Sequence, residues 1–144
     1  MSKLRHIALS VNDPWEAAKF YEKAFDMERV GETRSELADG VYLSDGIINM
    51  ALLRYKTDEM AGEDRGKDYV GLHHIGFWID DIDETHKRIE NAGGHHFMGS
   101  VPEGENVFYE VKYRDPNGII FDVTENGWGG AKKDSTPPNA TRED

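Results

Sequence analysis

The sequence predicts an α+β fold made of two copies of one strand–helix–strands unit around a polar pocket. Three observations carry this. Residues 6–13 read His-Ile-Ala-Leu-Ser-Val-Asn-Asp, and residues 74–81 read His-Ile-Gly-Phe-Trp-Ile-Asp-Asp. Each of these segments runs directly into a helix start. Each half then continues into short strands joined by turn sequences at matching places. A repeat of this kind is informative because one unit cannot bury its apolar face alone and must share a core with its neighbour.

The first element of each unit reads as a strand, because its apolar residues alternate. Ile7, Leu9 and Val11 share one face, and His6, Ala8 and Ser10 the other. In the second copy Ile75, Phe77 and Ile79 lie opposite His74, Gly76 and Trp78. Alternation therefore sets His6 and His74 on the less greasy face and turns His73 to the face opposite His74.

A helix follows each strand. Asp13-Pro14-Trp15-Glu16 offers an N-cap Asp, a Pro at the first helical position and a Glu at the third, a carboxylate version of the capping box. Ala17, Tyr21, Ala24 and Phe25 then recur at helical spacing. Asp81-Ile82-Asp83-Glu84 repeats the start, with Ile82, Ile89 and Ala92 as its stripe and Gly93-Gly94 as its stop. Strands are predicted at about 27–34, 39–45 and 46–54, and again at about 95–99, 107–114 and 118–124. Asp45-Gly46 and Asp115-Pro116-Asn117-Gly118 supply the turns. The chain reads as a single domain over 1–133, with module one at about 4–55, a polar connection at 56–69 and module two at about 70–127. The tail 134–144 is small, polar and proline-containing, and is expected to be disordered.

Composition narrows the function. The 144 residues carry a formal net charge of -11, which repels phosphate backbones and anionic lipid and argues against nucleic-acid or membrane partners. With no cysteine, thiolate chemistry and Cys-ligated metal are excluded. The N-terminus has no apolar leader and no stretch is long enough to span a bilayer, so the cytoplasm is the expected location.

The segments already quoted, with Phe20-Tyr21 before Ala24-Phe25-Asp26-Met27, Leu72-His73-His74-Ile75-Gly76-Phe77, and Asp115-Pro116-Asn117-Gly118 through Phe121-Asp122-Val123, resemble the vicinal oxygen chelate superfamily. That group includes glyoxalase I, bleomycin-resistance proteins, methylmalonyl-CoA epimerase and extradiol dioxygenases. The resemblance covers roughly residues 4–127. It implies paired βαβββ modules curled around a cleft and, commonly, a homodimer. It also implies a divalent metal (Fe, Mn, Ni, Zn or Co) held by one residue from the first and one from the last strand of each module.

His6 and His74 match the first-strand ligands. Neutral imidazole suits these ions, and two histidines at equivalent repeat positions favour liganding over mere strand capping. Asp122 falls where the family carries Glu. In module one, Ile48-Asn49-Met50 matches Phe121-Asp122-Val123 in pattern, which selects Asn49; alternation sends Asn49 and Ala51 to the cleft. Asn49 can bind a metal through its amide oxygen or hydrogen-bond elsewhere. If it is unliganded, a 2-His-1-carboxylate set remains, as in non-haem iron enzymes.

For proton transfer, Asn49 cannot act as a base and Asp122 is the carboxylate left in that set. Glu110 is a second candidate base, although Glu110 and Lys112 also fit a solvated strand face. Tyr109 can stabilise an oxyanion if its face of the strand meets the cleft, which alternation does not decide. Trp78, Phe108 and Met98 are candidate pocket walls; His86, His95 and His96 read as surface residues, and Glu125 as structural. Two functions result: a metal-dependent lyase, isomerase or extradiol-type dioxygenase acting on a small oxygen-chelating molecule, or a metal-free small-molecule binding protein of the bleomycin-resistance type.

Overall fold

The computed structural model describes residues 1–104 and 107–134. The expected disorder of the tail falls, apart from Asp134, outside the described residues. Module one runs β1 (Lys3–Ser10), α1 (Pro14–Phe25), β2 (Glu28–Arg34), β3 (Ala38–Ser44) and β4 (Asn49–Tyr55). A short α2 (Asp58–Ala61) lies in the connection, capped by Thr57, whose side chain accepts from the Met60 amide. Module two runs β5 (Gly71–Trp78), α3 (Ile82–Asn91), β6 (His95–Met98), β7 (Val111–Arg114) and β8 (Ile120–Thr124). The α+β class and both βαβββ modules are therefore present.

All eight strands form one sheet in the order β2-β3-β4-β1-β5-β8-β7-β6. The first strand of each module pairs parallel with its last, β1 with β4 and β5 with β8. The modules join where β1 meets β5 antiparallel. His6 pairs with Gly76 there, and Ala8 with His74, as two copies of one strand facing each other about a local two-fold should pair. Each strand carries a bulge at the same point, because the register shifts between Leu4 and His6 and again between Ala8 and Leu9. Arg5 and His73 are the extra residues, and each immediately precedes a histidine.

The Asp13 carboxylate caps α1 by accepting from the Trp15 and Glu16 amides, an arrangement worth about 1 kcal/mol. The helix turns Ala18 inward onto Val41, Leu43 and Leu52, with Tyr21 and Met50 alongside. The predicted stripe is corrected at its end, since Ala24 and Phe25 are exposed. Asp26 closes the helix in the left-handed conformation with φ 54, so the chain turns off before those two side chains reach the sheet. In module two Ile82 and Ile89 of α3 pack on Ile79, Val111, Tyr113 and Val123. The helices thus cover one face of the sheet. The other face is lined in module one by Ala8, Ala51, Leu53 and Tyr55, and it carries the cleft.

Candidate metal centre

A single row of residues crosses the centre of the sheet on the cleft face. Asn49 pairs with His6, His6 with Gly76, Gly76 with Asp122, and Asp122 with Lys112. Gly76 makes the row possible, because a Cβ there would lie 2.8 Å from both the His6 Cβ and the Trp128 ring. Glu110, two residues before Lys112, falls on the same face.

His6 Nε2 and His74 Nε2 lie 3.3 Å apart, and His74 Nε2 lies 3.0 Å from Asp122 Oδ2. All three residues are buried. The hydrogen bonds behind them settle which nitrogens carry protons. Asn49 Nδ2 donates to the Gly129 carbonyl at 2.9 Å, which orients the amide so that Oδ1 accepts from His6 Nδ1 at 2.8 Å. His6 Nε2 is then bare. In module two, His73 Nε2 donates to the Ala61 carbonyl at 2.5 Å. His73 Nδ1 therefore accepts, and its partner is His74 Nδ1 at 2.8 Å. His74 Nε2 is bare as well.

Burial favours these neutral forms. It pushes the His74 pKa well below its ordinary value, with the Lys112 charge and the neighbouring His6 and His73 acting in the same direction. Burial also lowers His6, against the opposing pull of Asp122 and Glu110, and it lowers His73.

Two bare ring nitrogens and one carboxylate oxygen thus converge with no proton to share. Asp122 Oδ2 is close to His74 but not aligned for a hydrogen bond, and it is buried without a partner. An unpaired buried carboxylate oxygen is costly, and a cation on it removes the cost. One donor atom from each of His6, His74 and Asp122 lies within 4.8 Å of the others, so the three can hold a metal ion. The donor set suits a borderline ion with open positions.

Several expectations are corrected. Asn49 is on the cleft face, but its oxygen is engaged by His6 Nδ1, behind the ring; it orients a ligand and does not itself reach the centre. Asn49 and Asp122 are also not counterparts. Asn49 stands beside its module's histidine, whereas Asp122 stands beside Gly76, the partner of Ala8 across the two-fold; Ala51 occupies the corresponding place in β4. His73 does not turn to the opposite face. The bulge places it on the same side as His74, against Tyr55 with ring centroids 4.7 Å apart. Tyr109 belongs to the helix-side cluster and its hydroxyl donates to Glu125, so it points away from the cleft.

Glu110 does face the cleft. Its Oε1 accepts from Trp128 Nε1 at 2.9 Å, and Oε2 is 3.8 Å from Lys112 Nζ. Lys112 donates to Asp122 Oδ1 at 2.6 Å. Burial raises the Glu110 pKa and the Asp122 charge raises it further, against the opposing effect of Lys112. Of the wall candidates Phe108 lines the cleft. Trp78 instead lies on Gly127 and donates to the Glu125 carbonyl, and Met98 sits beside Phe97 and Arg114. His95 and His96 are exposed; His86 is 40% exposed and reaches Tyr113 and Glu90.

The sequence reading missed the segment after β8. Residues 126–133 form a strap over the cleft. Trp128 stacks on His6 with ring centroids 4.7 Å apart. The Gly130 carbonyl accepts from Ser44, Lys132 donates to the Ile47 carbonyl, and the Lys132 and Lys133 carbonyls accept from Arg5. A tryptophan among glycines in an otherwise polar tail was the available signal.

The sequence profile of the Glyoxalase/Bleomycin resistance protein/Dioxygenase superfamily matches residues 3–123, and the chain belongs to this family. No curated protein matches it by sequence. Among solved structures, the hypothetical protein BH1468 from Bacillus halodurans C-125 is similar at 19% identity and TM-score 0.68, covering 94% of this chain and 98% of its own. A Streptomyces coelicolor methylmalonyl-CoA epimerase in complex with 2-nitronate-propionyl-CoA is similar at 19% identity and TM-score 0.69, over 85% of this chain and 95% of that one. The methylmalonyl-CoA epimerase of Mycobacterium tuberculosis is similar at 18% identity and TM-score 0.67, over 84% and 85%. At these identities the likeness establishes the fold. Among the described residues no helix is long and apolar enough to cross a membrane.

Proposed function

We propose that this chain is a metal-dependent enzyme that moves a proton on the carbon beside a carbonyl, acting on a small substrate with two neighbouring oxygens. The observation that carries the reading is the convergence of His6 Nε2, His74 Nε2 and the unpartnered Asp122 Oδ2. A divalent ion held there supplies Lewis-acid stabilisation to the negative charge that develops on substrate oxygen.

The chain's own residues do the rest. Glu110 handles the proton. Its Oε1 is pinned by the Trp128 indole, which leaves Oε2, 3.8 Å from Lys112 Nζ, as the atom to accept the proton. Its raised pKa moves the carboxylate toward the range suited to a base working near neutral pH. Asp122 does not serve as that base, because Lys112 occupies Oδ1 and Oδ2 faces the histidines. Lys112 neutralises part of the paired carboxylate charge, and the Trp128 ring shields His6 from water. That folds of this family also carry methylmalonyl-CoA epimerases is consistent with proton transfer beside a carbonyl.

The test is exchange of the C3 hydrogens of phenylpyruvate for deuterium, followed by NMR in D2O with metal-loaded protein. Glu110→Gln should lower the catalysed exchange by about 100-fold or more while leaving metal affinity nearly unchanged. Equal exchange by both proteins contradicts the assignment. The Lys112–Asp122 pair favours a second reading, a metal-free binding protein in which Lys112 replaces the ion; it requires that chelator treatment leave ligand binding and melting temperature unchanged. With Asn49 turned away, the three-donor set also suits an iron-dependent dioxygenase, and oxygen uptake with Fe(II) alone identifies that branch.

A further inference from the structure

Two cavities meet at the centre. An inner one of about 140 Å³ is lined by His6, His74, Tyr55, Glu110 and Lys112. An outer one of about 500 Å³ is lined by Val30, Tyr42, Phe108, Asn126 and Trp128 among others. Tyr42 and Glu110 line both, so the two cavities adjoin at these side chains. The inner space holds on the order of four or five waters at roughly 30 Å³ each, enough for a compact head with two oxygens. The outer space is of the size that takes the body of a small molecule.

The charges in the two spaces differ. Lys112 is the one cation lining either cavity among the described residues, and it is already engaged by Asp122 and Glu110. Among the described residues the outer cavity has no lysine or arginine in its lining. Its walls are the aromatic rings of Tyr42, Phe108 and Trp128, with Val30, the Asn126 amide and the Glu110 carboxylate. Phosphate groups are held by lysine and arginine, and a chain with net charge -11 repels them at long range. A flat ring, by contrast, gains from aromatic walls.

We infer that the substrate is compact and carries an uncharged, flat or apolar tail in the outer cavity, in place of a phosphorylated carrier such as coenzyme A. The inference rests on the proposed reaction for the head of the molecule and adds the class of its tail.

The test compares three probes on the full chain loaded with cobalt(II), by calorimetry: pyruvate, phenylpyruvate and methylmalonyl-CoA. Phenylpyruvate should bind about tenfold or more tighter than pyruvate, since burying a ring removes apolar area from water. Phe108→Ala, a change at a 54% exposed side chain, should shrink that gap to about threefold or less. Methylmalonyl-CoA should bind no tighter than pyruvate at any salt concentration. The inference is overturned if the CoA ester binds tightest and weakens with salt, or if the two 2-oxo acids bind equally, which includes no binding by either. The same ratio is measured on chelator-treated protein. A phenylpyruvate preference that persists without any cobalt binding upholds the tail class while the metal reading fails.

Discussion

The two modules solve one problem differently. Each must present a histidine with its Nε2 bare, and each places a bulge immediately before that histidine. In module one the bulge residue is Arg5, which reaches outward to the carbonyls of Lys132 and Lys133. His6 is then oriented from the neighbouring strand by Asn49. In module two the bulge residue is His73, which turns inward and orients His74 itself. The same backbone device therefore fastens the strap in one module and aims a ligand in the other. Duplicated backbone geometry leaves each copy free to assign its side chains, and the asymmetry between Asn49 and Asp122 has the same origin.

Breaking the ligands tests what the modules share. His74→Ala and Asp122→Asn should each weaken divalent-metal binding by more than about 100-fold, since loss of a ligand exceeds loss of an outer partner, measured by competition with a colorimetric chelator. Removing the orienting groups tests where they differ. Asn49→Ala and His73→Ala should each weaken metal binding by about 10–100-fold. Nitrogen NMR of the metal-free protein separates orientation from simple loss of packing. Asn49→Ala should loosen the Nδ1–H form of His6 alone, and His73→Ala that of His74 alone. An unchanged signature in either variant removes that residue's orienting role.

Gly76→Ala probes the contact between the modules. Its Cβ would crowd His6 and Trp128, which costs about 1–3 kcal/mol when a packed site cannot yield. The readout is chemical denaturation, and a cost near zero would mean that the strap moves aside.

pH tests the neutral state of the buried histidines. His6, His73 and His74 all have pKa values below the ordinary 6.5. Between 6.5 and their folded values the unfolded chain binds more protons, so stability falls as pH drops through this window. Glu110 works oppositely, because its raised pKa makes the folded chain the better proton binder above 4.5. Three histidines outweigh one carboxylate, so the stability of chelator-treated protein should fall from pH 7 to pH 5, by up to about 1.4 kcal/mol per pH unit for each histidine, and the melting temperature falls with it. His73→Asn should make that fall shallower.

Much of this was legible in the sequence. Alternation, capping and turn residues placed both modules, and the repeat picked out His6 and His74. Alternation also placed Asn49 and Asp122 on the cleft face. It failed at His73 because a bulge breaks the two-residue period, and nothing in Leu72-His73-His74 marks one. It could not choose between Tyr109 and Glu110, since both faces of that strand are amphipathic and only the packing of α3 decides. Trp128 stood out only by composition, as a tryptophan among glycines, because a strap held by backbone hydrogen bonds has no periodicity that would place it over the cleft.

The central claim is that two neutral imidazoles and Asp122 hold a cation. Its most direct test is a cobalt(II) titration of chelator-treated protein, followed by visible absorption. The account predicts saturation at one equivalent, retained in His86→Ala and lost in His74→Ala. Absence of saturable binding, or equal binding by the His74→Ala variant, would contradict it.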